Sequence, residues 1–228
     1  MDEIIKLNYA QAIALQNLLA KKLILKPPQN FLPRLVAGAD MSYSRKSGHF
    51  YGAMVILRLK GLELVEKQAI VGKIKFPYIP GLLSFREAPL LIKVFKQLRY
   101  KPDTLLVDGQ GIAHPRRFGL ASHLGVCLNL PTIGCAKSRL IGKYQPLPES
   151  IGNYSLLKDK GNIIGFVLRT KRGVKPIFVS PGHLMDISTA YKIVMASLKG
   201  YRLPEPIRLA HQVANQARTK ASVTAGLT

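Results

Sequence analysis

A chain of 228 residues, 47% of them hydrophobic, can bury a full core, which excludes an intrinsically disordered protein. Its 34 Lys and Arg outnumber 12 Asp and Glu for a formal charge of +22, a balance suited to nucleic acid, whose condensed counterions are released when protein cations replace them. Two cysteines, Cys127 and Cys135, are too few for a disulfide framework and lack metal-ligand spacing; both sit in apolar surroundings and are expected to be reduced core residues. The start, Met1-Asp2-Glu3-Ile4, lacks the basic end and cleavage site of a signal peptide. Lys21 and Lys22 interrupt the longest early apolar stretch, so a soluble cytoplasmic protein is expected.

Over residues 2–25 the apolar side chains Ile4, Ile5, Tyr9, Ile13, Leu15 and Leu19 recur on a helical period, and Lys26-Pro27-Pro28 ends the helix they predict. Residues 35–44 read as a strand with Asp40 in its middle. Residues 50–59 and 62–71 read as two more, joined by a Lys60-Gly61 turn, and three strands with short links predict an antiparallel meander. A helix is expected over residues 84–100, with Ser84 as N-cap and Glu87 at capping-box spacing. A strand follows at 104–107, a helix at 115–125 and a strand at 132–136. Residues 163–170 and 176–179 form a hairpin about the basic tip Lys171-Arg172-Gly173. Helices at 187–198 and 206–218 close the chain, with a small polar end from Thr219 expected to fray. The order β-β-β-α-β-α-β, with helical and hairpin additions and no long linker, predicts one α/β domain over residues 1–228.

The organising stretch is Thr104-Leu105-Leu106-Val107-Asp108-Gly109-Gln110-Gly111. A short apolar run ending in an acid reads as a buried strand exposing Asp108 at its carboxyl end, where open α/β sheets bind ligands. Two glycines then clear side chains from the turn, so a bulky group can approach its backbone.

With only twelve acids, elimination is practicable. Asp2 and Glu3 sit at the amino end, Glu63 and Glu66 in the hairpin, Asp103 before a strand, and Glu149 and Asp159 in loops. Asp186 caps a helix, and Glu205 suits the positive end of another. Asp40, Glu87 and Asp108 remain. A charge inside the apolar strand at Asp40 needs a cationic partner or a metal. In a meander followed by a helix and a parallel strand, the first and fourth strands are neighbours. Asp40 and Asp108 then face each other, and the helix near Ser84 brings Glu87 to the same edge, unless Glu87 only closes its capping box. Converging carboxylates need a cation, and all-oxygen ligation selects a hard ion, Mg²⁺ or Mn²⁺. On a basic surface that combination points to phosphodiester hydrolysis.

Other candidates surround these acids. Lys137, just past the strand at 132–136, is either a surface lysine or a phosphate contact. His114, before Pro115, is either a cap or a contact to backbone or base. His211 shares a helical face with Ile207 and Ala214, which reads as packing unless that helix borders the acids. Tyr78, within Pro77-Tyr78-Ile79-Pro80-Gly81, is an aromatic held between prolines. It is either a packed connector or a wedge that fills the gap left by an extruded base.

Taken together, the motifs resemble the endonuclease V family: Gly38-Ala39-Asp40, Pro77-Tyr78-Ile79-Pro80-Gly81, Ser84-Phe85-Arg86-Glu87, Val107-Asp108-Gly109-Gln110-Gly111-Ile112-Ala113-His114-Pro115-Arg116, Gly134-Cys135-Ala136-Lys137-Ser138-Arg139-Leu140 and Arg208-Leu209-Ala210-His211. Each is weak alone; six in the family's order are strong. The resemblance implies an α/β fold of the ribonuclease H-like kind, a mixed sheet with an antiparallel three-strand meander plus parallel strands, flanked by helices. It implies that Asp40 and Asp108 hold Mg²⁺ (Mn²⁺ as substitute), with Glu87 binding or orienting a metal water. Lys137 and His211 would flank the scissile phosphate and the attacking water. Tyr78 would be the wedge, with Gly81, Leu83, Gly109, Gly111 and Leu140 shaping the base pocket. Gln110 stands where the family commonly has His, and Cys135 where it has a small aliphatic residue.

The function so implied is a monomeric Mg²⁺-dependent endonuclease of DNA repair. It recognises hypoxanthine in damaged DNA, or inosine in RNA, and cuts the second phosphodiester bond on the 3′ side. The alternatives are another ribonuclease H-like nuclease with a different substrate, or a non-catalytic basic nucleic-acid-binding protein, which would leave Asp40 without a cause.

Overall fold

A computed structural model describes residues 7–224. The sheet is built on strands β1 (Leu35–Tyr43), β2 (Phe50–Arg58) and β3 (Leu64–Gly72), which pair antiparallel as the expected meander. Strands β4 (Thr104–Val107) and β5 (Thr132–Ala136) add in parallel on the other side of β1. Strands β6 (Tyr154–Asp159), β7 (Asn162–Leu168) and β8 (Ile177–Pro181) complete an eight-stranded sheet of order β3-β2-β1-β4-β5-β8-β7-β6.

Helices cover both faces, so the central strands are apolar on both sides. Ala37, Ala39, Leu105 and Val107 point into one core with α2 (Leu83–Gln97) and α3 (Leu120–Leu128). Val36, Leu106, Ile133 and Cys135 point into the other, beneath α4 (Ile187–Ala196) and α5 (Glu205–Thr224). The two-residue period of the strands sorts each chain into these alternate faces.

Several boundaries differ from the sequence expectation. Helix α1 is Tyr9–Ala20, because Asn8 and Gln11 exchange side-chain bonds to each other's backbone N–H (both 2.9 Å) in a capping box. The expected start at residues 2–6 lies outside the described residues. Ser84 is not an N-cap: the Leu82 N–H bonds the Ile79 carbonyl (2.9 Å), and the chain enters α2 directly from that turn at Leu83. Ser84 Oγ is left buried and unbonded, so the expected capping box is absent and Glu87 serves no cap. Helix α2 stops at Gln97 because the backbone N–H groups of Arg99 and Tyr100 turn to the Glu66 carboxylate (3.1 Å).

The helix expected at 115–125 begins only at Leu120. The Gly119 N–H folds back to the Gly111 carbonyl (2.9 Å), and Arg117 sits at φ +55°, which keeps 115–119 in turns. Strand β6 was not expected; it forms a hairpin with β7 across Lys160-Gly161, and Asp159, expected in the turn, ends β6 paired with Asn162. Helix α5 continues through Thr224 instead of fraying at Thr219; residues 225–228 of that expected tail lie outside the described residues. Cys135 is buried in the core, but Cys127 is exposed, because it falls on the outer side of the last turn of α3.

Candidate active site

Pairing sets the two central acids. Ala39 is level with Val107 across the parallel β1–β4 ladder, and the Asp108 N–H bonds the Ala39 carbonyl (3.1 Å). The next residue of each strand, Asp40 and Asp108, therefore emerges at the same sheet edge. The third acid, Glu87, comes from the second turn of α2 and lies within electrostatic reach of both. Burial first, then Asp40 and Asp108, pushes the Glu87 carboxyl up to about 8, so it is largely protonated at neutral pH. Burial and Asp108 also raise Asp40, opposed by its bonds from His211 and from the Met41 N–H (2.8 Å). Among the described residues no three His, Cys, Asp or Glu side chains close into a ready-made metal cage. In this arrangement each central acid has a cationic or imidazole partner.

Those partners are the two expected flanking groups. Lys137 Nζ forms an ion pair with Asp108 Oδ2, reaching back from the end of β5. His211 Nδ1 lies 2.6 Å from Asp40 Oδ2. Helix α5 is thus more than a packing helix: Ile207 and Ala214 are buried, while the His211 side chain keeps 48% of its surface exposed. Its seat depends on Gly38, where any Cβ would collide with the Pro206 carbonyl. From that contact α5 runs in the same direction as β1. Two strand residues advance about 6.6 Å and four helical residues about 6 Å. Hence Gly38 meets Ile207, Asp40 meets His211, and the Ser42 hydroxyl donates to Asn215 Oδ1 (2.8 Å). Asn215 Nδ2 lies 2.9 Å from His211 Nε2, so both imidazole nitrogens are engaged. Asn215 was not foreseen; its signal was the i, i+4 spacing from His211.

Beside the acids opens a cleft of about 450 Å³, within the ~300–1,000 Å³ common for small-ligand sites. Tyr78, Pro80, Gly81 and Leu83 form one wall, Asp108 and Gly109 the floor, and Lys137 and Leu140 the other wall. Tyr78 is 67% exposed, not packed inward as a connector would be. His114 also lines the cleft. It is buried, its Nδ1 accepts the Arg116 N–H (3.2 Å), and burial followed by Arg116 lowers it to about 4, which keeps the ring neutral. Of the motifs expected to meet the substrate, Pro77, Ile79 and Gly111 do not line the cleft. Pro77 precedes the wall, and Ile79 turns toward the cluster of Phe76, Leu82 and Phe85. Gly111 is buried under the turn, where a Cβ would strike the Pro181 backbone, so it supports the floor without facing the cleft. Ser138 and Arg139 line it unforeseen; they are chain neighbours of Lys137. Gln110 lines it too, and its Nε2 donates to the Ser138 carbonyl (3.1 Å), tying the glycine turn to that segment.

A sequence model of the endonuclease V family matches residues 17–212. The chain belongs to the endonuclease V family. It is 50% identical over 206 residues to endonuclease V of Dehalococcoides mccartyi, covering 90% of this chain and 92% of that protein. With the Myxococcus xanthus endonuclease V it shares 42% over 209 residues, covering 92% and 89%. The crystal structure of the Streptomyces avermitilis endonuclease V superposes with a TM-score of 0.89 at 38% identity, over 94% of this chain and 95% of that one. The Ciona intestinalis endonuclease V, solved in complex with a 23mer DNA containing an inosine followed by a ribo-adenosine, superposes with a TM-score of 0.82 at 29% identity, over 93% and 97%. Family membership makes this chain a nuclease, a hydrolase of DNA. No helix among the described residues is long and apolar enough to cross a membrane.

Proposed function

We propose that this chain is a Mg²⁺-dependent endonuclease that recognises deoxyinosine in damaged DNA. It hydrolyses the second phosphodiester bond 3′ to the lesion and leaves 3′-hydroxyl and 5′-phosphate ends. The observation that carries this reading is the adjacency of the exposed Tyr78, the cleft and the acids Asp40 and Asp108 at one sheet edge. An intercalated aromatic fills the space left in a base stack, and the neighbouring cleft accepts the extruded base. Hypoxanthine would be read there by groups at its Watson–Crick edge, against walls that glycines keep close to the backbone.

The donor set fits a hard divalent ion. Burial and the charge of Asp108 raise Asp40, and burial with Asp40 and Asp108 raises Glu87, a field that a cation would relieve. Asp40 and Asp108 would hold it, with Glu87 binding or orienting one of its waters. When bound, the ion supplies water activation and charge stabilisation at the scissile phosphate. Lys137 brings a positive charge to the same edge, where it would face the phosphate oxygens, and His211, fixed by Asp40 and Asn215, would stand beside the attacking water. A formal +22 favours association of the whole protein with a phosphate backbone. A cytoplasmic, monomeric enzyme suits the reduced cysteines and the completeness of the site within one chain.

A nicking assay tests the proposal, with one deoxyinosine or adenine in otherwise identical strands, single and double, DNA and RNA, with Mg²⁺ or EDTA. Cutting confined to inosine strands with Mg²⁺, one bond beyond the lesion's own 3′ phosphate, is expected. Equal cutting of inosine and adenine strands overturns the specificity, and undiminished cutting in EDTA overturns the metal.

A further inference from the structure

Helix α1 reaches the Tyr78 loop through one fully buried amide. Gln16 is 0% exposed. Its Nε2 donates to the carbonyls of Phe118 (2.8 Å) and Gly81 (3.1 Å), and its Oε1 accepts from Arg116 Nε (2.5 Å). Arg116 Nη2 donates to the same Gly81 carbonyl (2.7 Å). Gly81 sits at φ +79°, which glycine adopts without strain, and a Cβ there would press on the Arg116 guanidinium. Ala12 of α1 packs in one cluster with Phe76, Leu82 and Phe85, and Ile79 lies against it, so α1 grips the chain on both sides of Tyr78. A buried amide stabilises a fold only when its bonding groups are met, and the bonds of Gln16 converge on the base of this loop or on the turn holding Arg116. Leu or Ala at that position would pack without such demands.

We propose that Gln16 is a positioning residue for lesion recognition. With Arg116 it fixes the Gly81 carbonyl and thereby the angle at which Tyr78 stands over the cleft. This role rests on the wedge reading above and deepens it. A loop ordered during folding does not have to be ordered again on binding, so its rigidity appears as affinity for the substrate that uses it.

The test is equilibrium binding, in EDTA so that nothing is cut, of a fluorescein-labelled duplex carrying one deoxyinosine and of its adenine counterpart. Gln16→Leu is expected to weaken inosine-duplex binding roughly tenfold, the scale of a bond to a charged partner, with adenine-duplex binding unchanged. In a Tyr78→Ala background the same substitution should cost nothing further, because the residue acts through that side chain. Gln16→Glu keeps the acceptor for Arg116 but has no N–H for Gly81, and should shift binding in the same direction. It carries the test if Gln16→Leu does not fold by circular dichroism. Equal losses on both duplexes, or a loss that persists in full beside Tyr78→Ala, reduce Gln16 to a stability residue and overturn its role alone. A Tyr78→Ala protein that binds inosine as its parent does overturns the wedge reading, and the role of Gln16 with it.

Discussion

His211 Nδ1 stands 2.6 Å from Asp40 Oδ2, although 171 residues separate them. The contact exists because α5 lies along β1 in matched register, seated where Gly38 leaves no Cβ between strand and helix. Gly38→Ala is therefore expected to drive α5 off the sheet. Unfolding in urea should show a loss of about 1–3 kcal/mol, the range for overpacking a tight contact, with activity falling further than stability alone explains. A variant as stable and active as the parent would show that the register does not depend on this contact.

Asp40→Ala or Asp108→Ala should abolish nicking while leaving metal-free binding of the inosine strand intact. Loss of binding in EDTA by either variant would assign these acids to substrate affinity instead. His211→Ala should lower kcat by about 10²-fold with little change in KM, the scale at which a positioned proton-handling group contributes. Single-turnover kinetics at saturating Mg²⁺ measure it.

Tyr78→Ala should weaken inosine-strand binding by about 1–3 kcal/mol, the worth of one base–aromatic stack, and leave kcat at saturation nearly unchanged. Fluorescence anisotropy against the adenine strand isolates the lesion-dependent part. Unchanged affinity would make Tyr78 a connector despite its exposure.

His123 supplies a pH dependence of stability. The ring packs between Phe85 (centroids 4.9 Å) and Phe118 (5.4 Å), its Nδ1 is buried without a partner, and burial lowers it to about 4. The unfolded chain takes up this proton near 6.5, the folded chain only near 4. Stability is therefore unaffected above pH 6.5 and falls as pH drops from 6.5 to 4, by up to about 3 kcal/mol. His114, lowered to a similar value, adds to the same window. His123→Phe should flatten the decline in urea midpoint between pH 7 and pH 4.5. An unaltered slope would mean that other groups govern it.

The acids were legible in the sequence because their cause is local: an apolar run interrupted by Asp40, or ended by Asp108, carries its own anomaly. The meander and the parallel pair were legible from strand periods and link lengths, and these alone bring the two acids together. Glu87 was reached by elimination among twelve acids, and the capping box that would have explained it away does not form. Strand β6 was missed because its apolar positions are few and its neighbour β7 supplies the buried partner. Gln16 could not be seen, since a single amide in a helix shows nothing until the groups it bonds, up to 102 residues away, are folded against it; Asn215 offered only its spacing from His211, which means nothing until that histidine is known to face Asp40.

Placing His211 on α5, far along the chain from Asp40, has a consequence for synthesis. A ribosome must extrude α5 before the pair with Asp40 can form, long after β1, β4 and the Tyr78 loop have emerged. A strongly cationic nascent polypeptide, surrounded by ribosomal RNA and messenger, thus carries no finished blade until α5 itself has emerged.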